Sequence, residues 1–201
     1  MSGDTQIPPG VILAGGQARR MGGRDKAFVT LDGRPMIAHV IARLEPQVSR
    51  IAINSNGDPS AFTSSHPILS DSIEDHPGPL AGILAAMDWA LTLKSDWVVT
   101  VATDTPFIPA NLVDRLIRAQ NASRAPIVLA ETPAGVEPVA GLWYTKLANG
   151  LRGSIKTGTR KVTDFTEEKD AVSAFFAAED FFNVNTPEDL DNAEARLRAL
   201  R

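Results

Sequence analysis

The chain has 201 residues, of which 43% are hydrophobic and 22% charged, so it is long enough to bury about 70% of its unfolded surface without disulfides or a structural metal. It contains no cysteine, which excludes thiol nucleophiles, disulfide scaffolds, iron–sulfur clusters and cysteine-ligated zinc. A formal charge of −4 and a pI near 5.4 oppose nucleic-acid and anionic-membrane partners, and no run approaches the roughly 18 apolar residues of a membrane span.

The first ten residues have neither a basic nor an apolar region of the kind a signal peptide needs, so a cytoplasmic location is expected. Val11–Ala14 then reads as a buried strand bounded by Pro9-Gly10 and Gly15-Gly16. Phe28–Leu31 leads to a turn at Asp32-Gly33. Met36, Ile37, Val40, Ile41 and Leu44 mark one face of a helix that Pro46 stops. Ile51–Ile53 and Pro67–Leu69 read as strands. Leu80, Ile83, Leu84, Met87 and Leu91 have helical spacing, with Pro79 suited to the first turn. Trp97–Val101 is almost wholly β-branched or aromatic, as in a strand buried on both faces. Leu112, Val113, Leu116 and Ile117 form a further helical face. Ile127–Leu129 and Val139–Trp143 look like strands, and Phe182–Asn185 like a last short one before a helix from Pro187. Phe175, Phe176, Phe181 and Phe182 read as core.

No repeat, low-complexity tract or long linker divides the chain, so residues 1–201 are expected to form a single domain. The alternation of strands and helices predicts an α/β fold: a mostly parallel twisted sheet with helices on both faces. Ligands of such sheets bind beyond the carboxyl ends of the strands, so residues just after strands carry the functional expectation.

The segment after the first strand is rich in glycine and positive charge. Arg19, Arg20, Arg24 and Lys26 place four cations in eight residues, where the whole-chain composition would give about 0.8. Glycine lets backbone N–H groups approach a phosphate, and Arg and Lys neutralise it. Neither the P-loop spacing nor G-x-G-x-x-G is met. A solvated basic loop is the alternative reading. Asp104, three residues beyond Val101, is either a Mg²⁺ ligand or a turn aspartate. Asn54 and Asp71 follow strands and could read a base edge or merely shape turns. Asn183 and Asn185 alternate along the expected strand and so share a face, though Asn185 also suits a helix cap. His39, His66 and His76 share no metal-ligand spacing.

Leu13-Ala-Gly-Gly-Gln-Ala-Arg-Arg-Met-Gly-Gly-Arg-Asp-Lys26 resembles the L-A-G-G-x-x-x-R-M-G-G-x-D-K signature of the molybdenum cofactor guanylyltransferases, within the molybdopterin nucleotidyltransferase family. Asp71–Gly82, Thr103-Asp-Thr-Pro106, Gly158–Val162 and Asn183–Leu190 are similar to further segments of that family. Glu137 stands where the family often has His or Gln before Pro, would sit awkwardly beside a phosphorylated substrate, and is assigned no role.

The resemblance implies a Rossmann-like, glycosyltransferase-A-like nucleotidyltransferase fold and transfer of GMP from Mg-GTP to the terminal phosphate of Mo-molybdopterin. The expected catalytic residues are Arg20, Lys26 and Asp104, with Asp104 holding Mg²⁺. The expected GTP-binding residues are Leu13, Ala14, Gly15, Gly16, Lys26, Asn54, Asp71 and Asp104. Gly23, Gly78, Asn183, Asn185, Arg160 and Lys161 are expected to orient substrate. It also implies transient contacts with a molybdenum-insertion protein and with molybdoenzyme chaperones. A molybdopterin cytidylyltransferase, a sugar-phosphate nucleotidyltransferase and a non-catalytic molybdopterin carrier stay open as alternatives.

Overall fold

The structure, a computed structural model, describes residues 6–15, 26–73 and 78–199. The first apolar run forms β1 (Gly10–Leu13). A 3-10 turn at Lys26–Phe28 leads into a small hairpin of β2 (Thr30–Leu31) and β3 (Arg34–Pro35), closed by Asp32 and Gly33 at φ 50° and 76°. Helix α1 (Met36–Leu44) buries Met36, Ile37, Val40 and Leu44 and gives way to a 3-10 turn containing Pro46. β4 (Ile51–Asn54) and β5 (Ile68–Leu69) follow.

Helix α2 (Pro79–Thr92) starts from Gly78, whose φ of 127° suits glycine, with Pro79 as its first residue. It is buried on most of its circumference, although Leu91, expected on the inner face, is 45% exposed. Then come β6 (Trp97–Ala102), α3 (Leu112–Ser123), β7 (Ile127–Thr132), β8 (Gly135–Tyr144), α4 (Ala148–Lys156), α5 (Val162–Glu167), β9 (Val172–Phe175) and α6 (Pro187–Ala199).

Seven strands form one sheet in the order β5-β4-β1-β6-β8-β7-β9. β5, β4, β1 and β6 run parallel, β8 runs antiparallel to β6 and β7, and β9 is parallel to β7. The sheet is mostly parallel, as the alternation predicts. On one face Ile12, Ile53, Val99 and Val101 pack with α1 and α3. On the other, Val11, Ala52 and Val98 meet α2, α4 and α5. Adjacent residues of one strand thus serve opposite layers, which is why these strands read as continuous apolar runs. A third cluster of Leu31, Met36, Phe107, Val184 and Ala193 seats α6 against the small hairpin. Among the described residues no helix is long and apolar enough to cross a membrane.

Two expectations need correcting. Phe182–Asn185 is extended but joins no ladder among the described residues; a backbone bond runs from Val184 N to Asp104 O at 2.9 Å. The last strand is β9, at the edge of the sheet, and this leaves Phe175 65% exposed rather than in the core.

Candidate active site

β1 lies between β4 and β6, so the chain leaves it first toward one edge of the sheet and later toward the other. Such a reversal opens a crevice at the carboxyl ends of the strands. A cavity of about 500 Å³ lies there, within the usual range for small-molecule sites. Leu13, Ala14 and Gly15 line it from the end of β1. Their backbone is pinned on both sides. Ala14 N donates to Asn54 O at 2.8 Å, and Thr103 donates to Leu13 O through both its N (3.1 Å) and its Oγ1 (2.8 Å).

Asp104 enters the cavity just beyond β6. Thr103 and Thr105, on either side of it, are buried with their hydroxyls bonded to the carbonyls of Leu13 and Ala102. These hydroxyls fix the turn and leave the aspartate side chain free for another partner. That partner is Lys26, whose Nζ donates to Asp104 Oδ2 at 2.9 Å. Lys26 also donates to Asn185 Oδ1. The side chains of Lys26 and Asp104 are 17% and 24% exposed, sheltered enough for a Coulombic contact to count and open enough for a ligand to reach.

Asn185 is released for this contact because another residue caps α6. Thr186 Oγ1 accepts from Asp189 N at 3.1 Å, and Asp189 Oδ2 accepts from Asn185 N and Thr186 N, each at 2.9 Å. This reciprocal cap corrects the reading of Asn185 as the capping residue. The bonds from the Asn185 backbone and from Thr186 hold the Asp189 carboxyl below its ordinary range. Asn183 lines the cavity, and Val184 between the two asparagines is fully buried. Asn185 does not itself line the cavity and meets it through Lys26.

A second polar group lies beyond β4 and β5. Asn54 is buried, and its Nδ2 donates to Leu69 O (3.1 Å) and to Asp71 Oδ1 (2.9 Å). Asn56 Nδ2 donates to Asp71 Oδ2 at 2.7 Å, while Asp71 N donates back to Asn56 Oδ1 at 2.9 Å. Gly82 of α2 is needed here, since a Cβ would come within 2.4 Å of Asn54 Oδ1. Asn56, which sequence reasoning passed over, is signalled by the Asn54-Ser-Asn56 spacing just after a strand.

Glu137 of β8 also lines the cavity. Its side chain has no hydrogen bond or ion pair among the described residues, and burial, then the charge of Asp104, push its carboxyl up from the ordinary range. Gly78 lines the cavity, whereas Arg160 and Lys161 are exposed and do not. The carbonyl oxygen of Arg160 lies 3.6 Å from where a Gly78 Cβ would stand. Gly16, Arg20 and Gly23 lie outside the described residues.

Among the described residues no group of three or more His, Asp or Glu side chains could hold a metal by itself. The donor set suits a cation that a ligand helps to bind. Asp104 Oδ1 receives no hydrogen bond from the described residues, and Mg²⁺ commonly takes one or two carboxylates with phosphate and water oxygens.

Comparison with known proteins identifies the family. The model of the MobA-like NTP transferase domain matches residues 10–172. The chain is 44% identical over 192 residues to the molybdenum cofactor guanylyltransferase of Cereibacter sphaeroides, covering 94% of this chain and 96% of that protein. It is 43% identical over 204 residues to the enzyme of the same name from Nitrobacter hamburgensis, covering 97% of each. Among solved structures, molybdopterin-guanine dinucleotide biosynthesis protein A from Archaeoglobus fulgidus superposes with a TM-score of 0.76 at 22% identity, over 95% of this chain and 99% of that one. A CMP:2-keto-3-deoxy-manno-octonic acid synthetase complexed with CTP gives 0.71 at 14% identity, over 98% of this chain and all of that one. At those identities the two structures share the fold.

Proposed function

We propose that this chain, which belongs to the MobA-like NTP transferases and within them to the molybdenum cofactor guanylyltransferases, transfers GMP from Mg²⁺-bound GTP to the terminal phosphate of Mo-molybdopterin. An oxygen of the acceptor phosphate attacks the α-phosphorus, the bond to the bridging α,β-oxygen breaks, and pyrophosphate leaves with that electron pair. The attacking oxygen is already ionised, so no strong general base is required. The work left to the protein is alignment and charge screening.

The observation that carries the reading is the Lys26–Asp104 ion pair inside the strand-end cavity. A cation beside a carboxylate in that cavity supports the reading, because a triphosphate and its metal would call for both. Lys26 and Arg20 neutralise the triphosphate and the departing pyrophosphate. Asp104 holds Mg²⁺, which supplies further neutralisation of those phosphates. The backbone of Leu13–Gly15 and Gly16 cradles the nucleoside, Asn54 and Asp71 face its base, and Gly23 and Gly78 give the backbone close access to substrate. Asn185 fixes the Lys26 ammonium, while Asn183, with Arg160 and Lys161 at the rim, orients the acceptor. We assign the reaction to the cytoplasm, with a molybdenum-insertion protein supplying the acceptor and molybdoenzyme chaperones receiving the product.

The test is pyrophosphate release from each of the four nucleoside triphosphates in the presence of the acceptor. GTP is expected to be the productive donor. Asp104→Ala should lower turnover by at least about 10²–10³-fold while leaving the fold intact. Preference for CTP would move the chain to cytidylyl transfer. Acceptor binding with no pyrophosphate formed would make it a carrier.

A further inference from the structure

Asp71 is the only carboxylate in the cavity whose two oxygens are each held by a neighbouring side-chain amide among the described residues. Asn54 Nδ2 takes Oδ1 at 2.9 Å and Asn56 Nδ2 takes Oδ2 at 2.7 Å. Asn54 is buried and anchored by Leu69 O and by the absence of a side chain at Gly82, so its half of the clamp is built into the sheet. Asn56 is exposed, past the end of β4, and no burial holds it. Its position rests on the reciprocal pair with Asp71, the amide donating to Oδ2 and Asp71 N returning a bond of 2.9 Å to Oδ1 of the asparagine.

The clamp has a chemical consequence. A carboxylate oxygen can accept more than one hydrogen bond, so the amides use one direction on each oxygen and leave another. With both oxygens fixed, what remains is a pair of parallel acceptors. Guanine offers the matching edge, N1–H beside the 2-amino group. Cytosine and adenine each set a ring-nitrogen acceptor beside their amino donor, and uracil flanks its single N–H with carbonyls. Each would bring an acceptor against a carboxylate oxygen. Without Asn56 the carboxylate could rotate, and the two-acceptor register would be lost.

We propose that Asn56 is a positioning residue for base selection: it locks the Asp71 carboxylate in the plane that accepts two adjacent N–H donors, and so sets the preference for guanine. The proposal rests on the guanylyl-transfer reading above and on Asp71 facing the base. Inosine triphosphate is the probe, because it keeps the N1–H donor and lacks the 2-amino group.

The experiment is equilibrium binding of GTP, ITP and CTP, each with Mg²⁺, to the full chain and to its Asn56→Ala, Asn56→Asp and Asp71→Ala variants. Asn56→Ala should reduce the GTP-over-ITP affinity ratio by about ten- to hundredfold, through loss of GTP affinity with ITP much less affected. Asn56→Asp, which sets a like charge against Asp71, should reduce the ratio at least as far. If Asn56→Ala weakens both nucleotides equally or leaves both unchanged, while Asp71→Ala collapses the ratio, Asp71 reads the base without help and the proposal falls alone. If Asp71→Ala leaves the ratio intact, base reading lies elsewhere and the proposal falls with it. If the unaltered chain prefers CTP, the guanylyl-transfer reading fails first.

Discussion

Glu137 is a carboxylate in a cavity with another carboxylate beside it and, among the described residues, no partner of its own. Burial and then Asp104 raise its folded-state value above the ordinary range. The folded chain therefore holds this proton to higher pH than the unfolded chain does. The sign follows: stability linked to Glu137 is greatest below its unfolded value and declines as pH rises toward the folded one. Glu137→Gln should thus raise the melting temperature at pH 7. Solvent screening keeps the gain below about 1 kcal/mol, and it should vanish near pH 4; an equal shift at both pH values would show that the charge is not the cause. In the sequence Glu137 is legible only through the family resemblance, and nothing in its own spacing marks it. Asp104 and Asp71 stand just past strands and Asn54 ends one, where the topology brings ligand groups together, while Lys26 opens the 3-10 turn ahead of β2. Glu137 reaches the cavity from within a strand, through a register shift between Leu129 and Ala130 of β7 that apolar spacing does not encode.

Among the elements, those with strong periodicity were readable and those held by their neighbours were not. α1 and α2 follow the spacing of their apolar residues almost to the end. α4 carries Gly150 and Gly153, poor helix formers, and is held by Leu151 and Ile155 against the α2 layer. α5 has only six residues, too few for a period to show. β9 is a four-residue edge strand whose outward Phe175 gives no two-sided apolar signal. The turn into α6 is a different case, since Thr186-Pro-Glu-Asp189 spells a capping box that places Asn185 outside the helix. Thr186→Ala should cost about 1 kcal/mol in chemical denaturation and also weaken nucleotide binding, because the segment holding Asn185 loses an anchor. Asp189 adds a pH signature. Its folded value is depressed, so the stability it supplies is present above its unfolded value, near 3.8, and is lost as pH falls through the folded one. Asp189→Asn should flatten the acid limb of the melting-temperature profile, and an unchanged limb would mean that the cap adds nothing.

At the scale of the whole molecule, the cavity is where distant parts of one chain close on each other. Lys26 lies 78 residues from Asp104 and 159 from Asn185, and its ammonium touches both. Sequence periodicity indicates that a parallel sheet exists but not which strand ends converge. Convergence depends on the order of strands and on the antiparallel β8, entered through a turn at Gly135 with φ 130°. The closure is secured from beneath by the third apolar cluster, in which Val184 is fully buried with Leu31, Met36 and Phe107. Val184 also donates its N–H to Asp104 O, so one residue ties the C-terminal segment to the core and to the carboxylate turn at once. Val184→Ala keeps that backbone bond and removes only apolar contacts, at a cost of roughly 2 kcal/mol. If this cluster sets the height of the segment above the sheet, the substitution should weaken Mg-GTP binding by several-fold in a chain that still melts cooperatively, although Val184 itself lies beneath the site. Titration of Mg-GTP into the folded variant decides the matter. Unchanged affinity would mean that the cluster stabilises the fold without positioning Asn185, and that the polar bonds of the segment hold it in place.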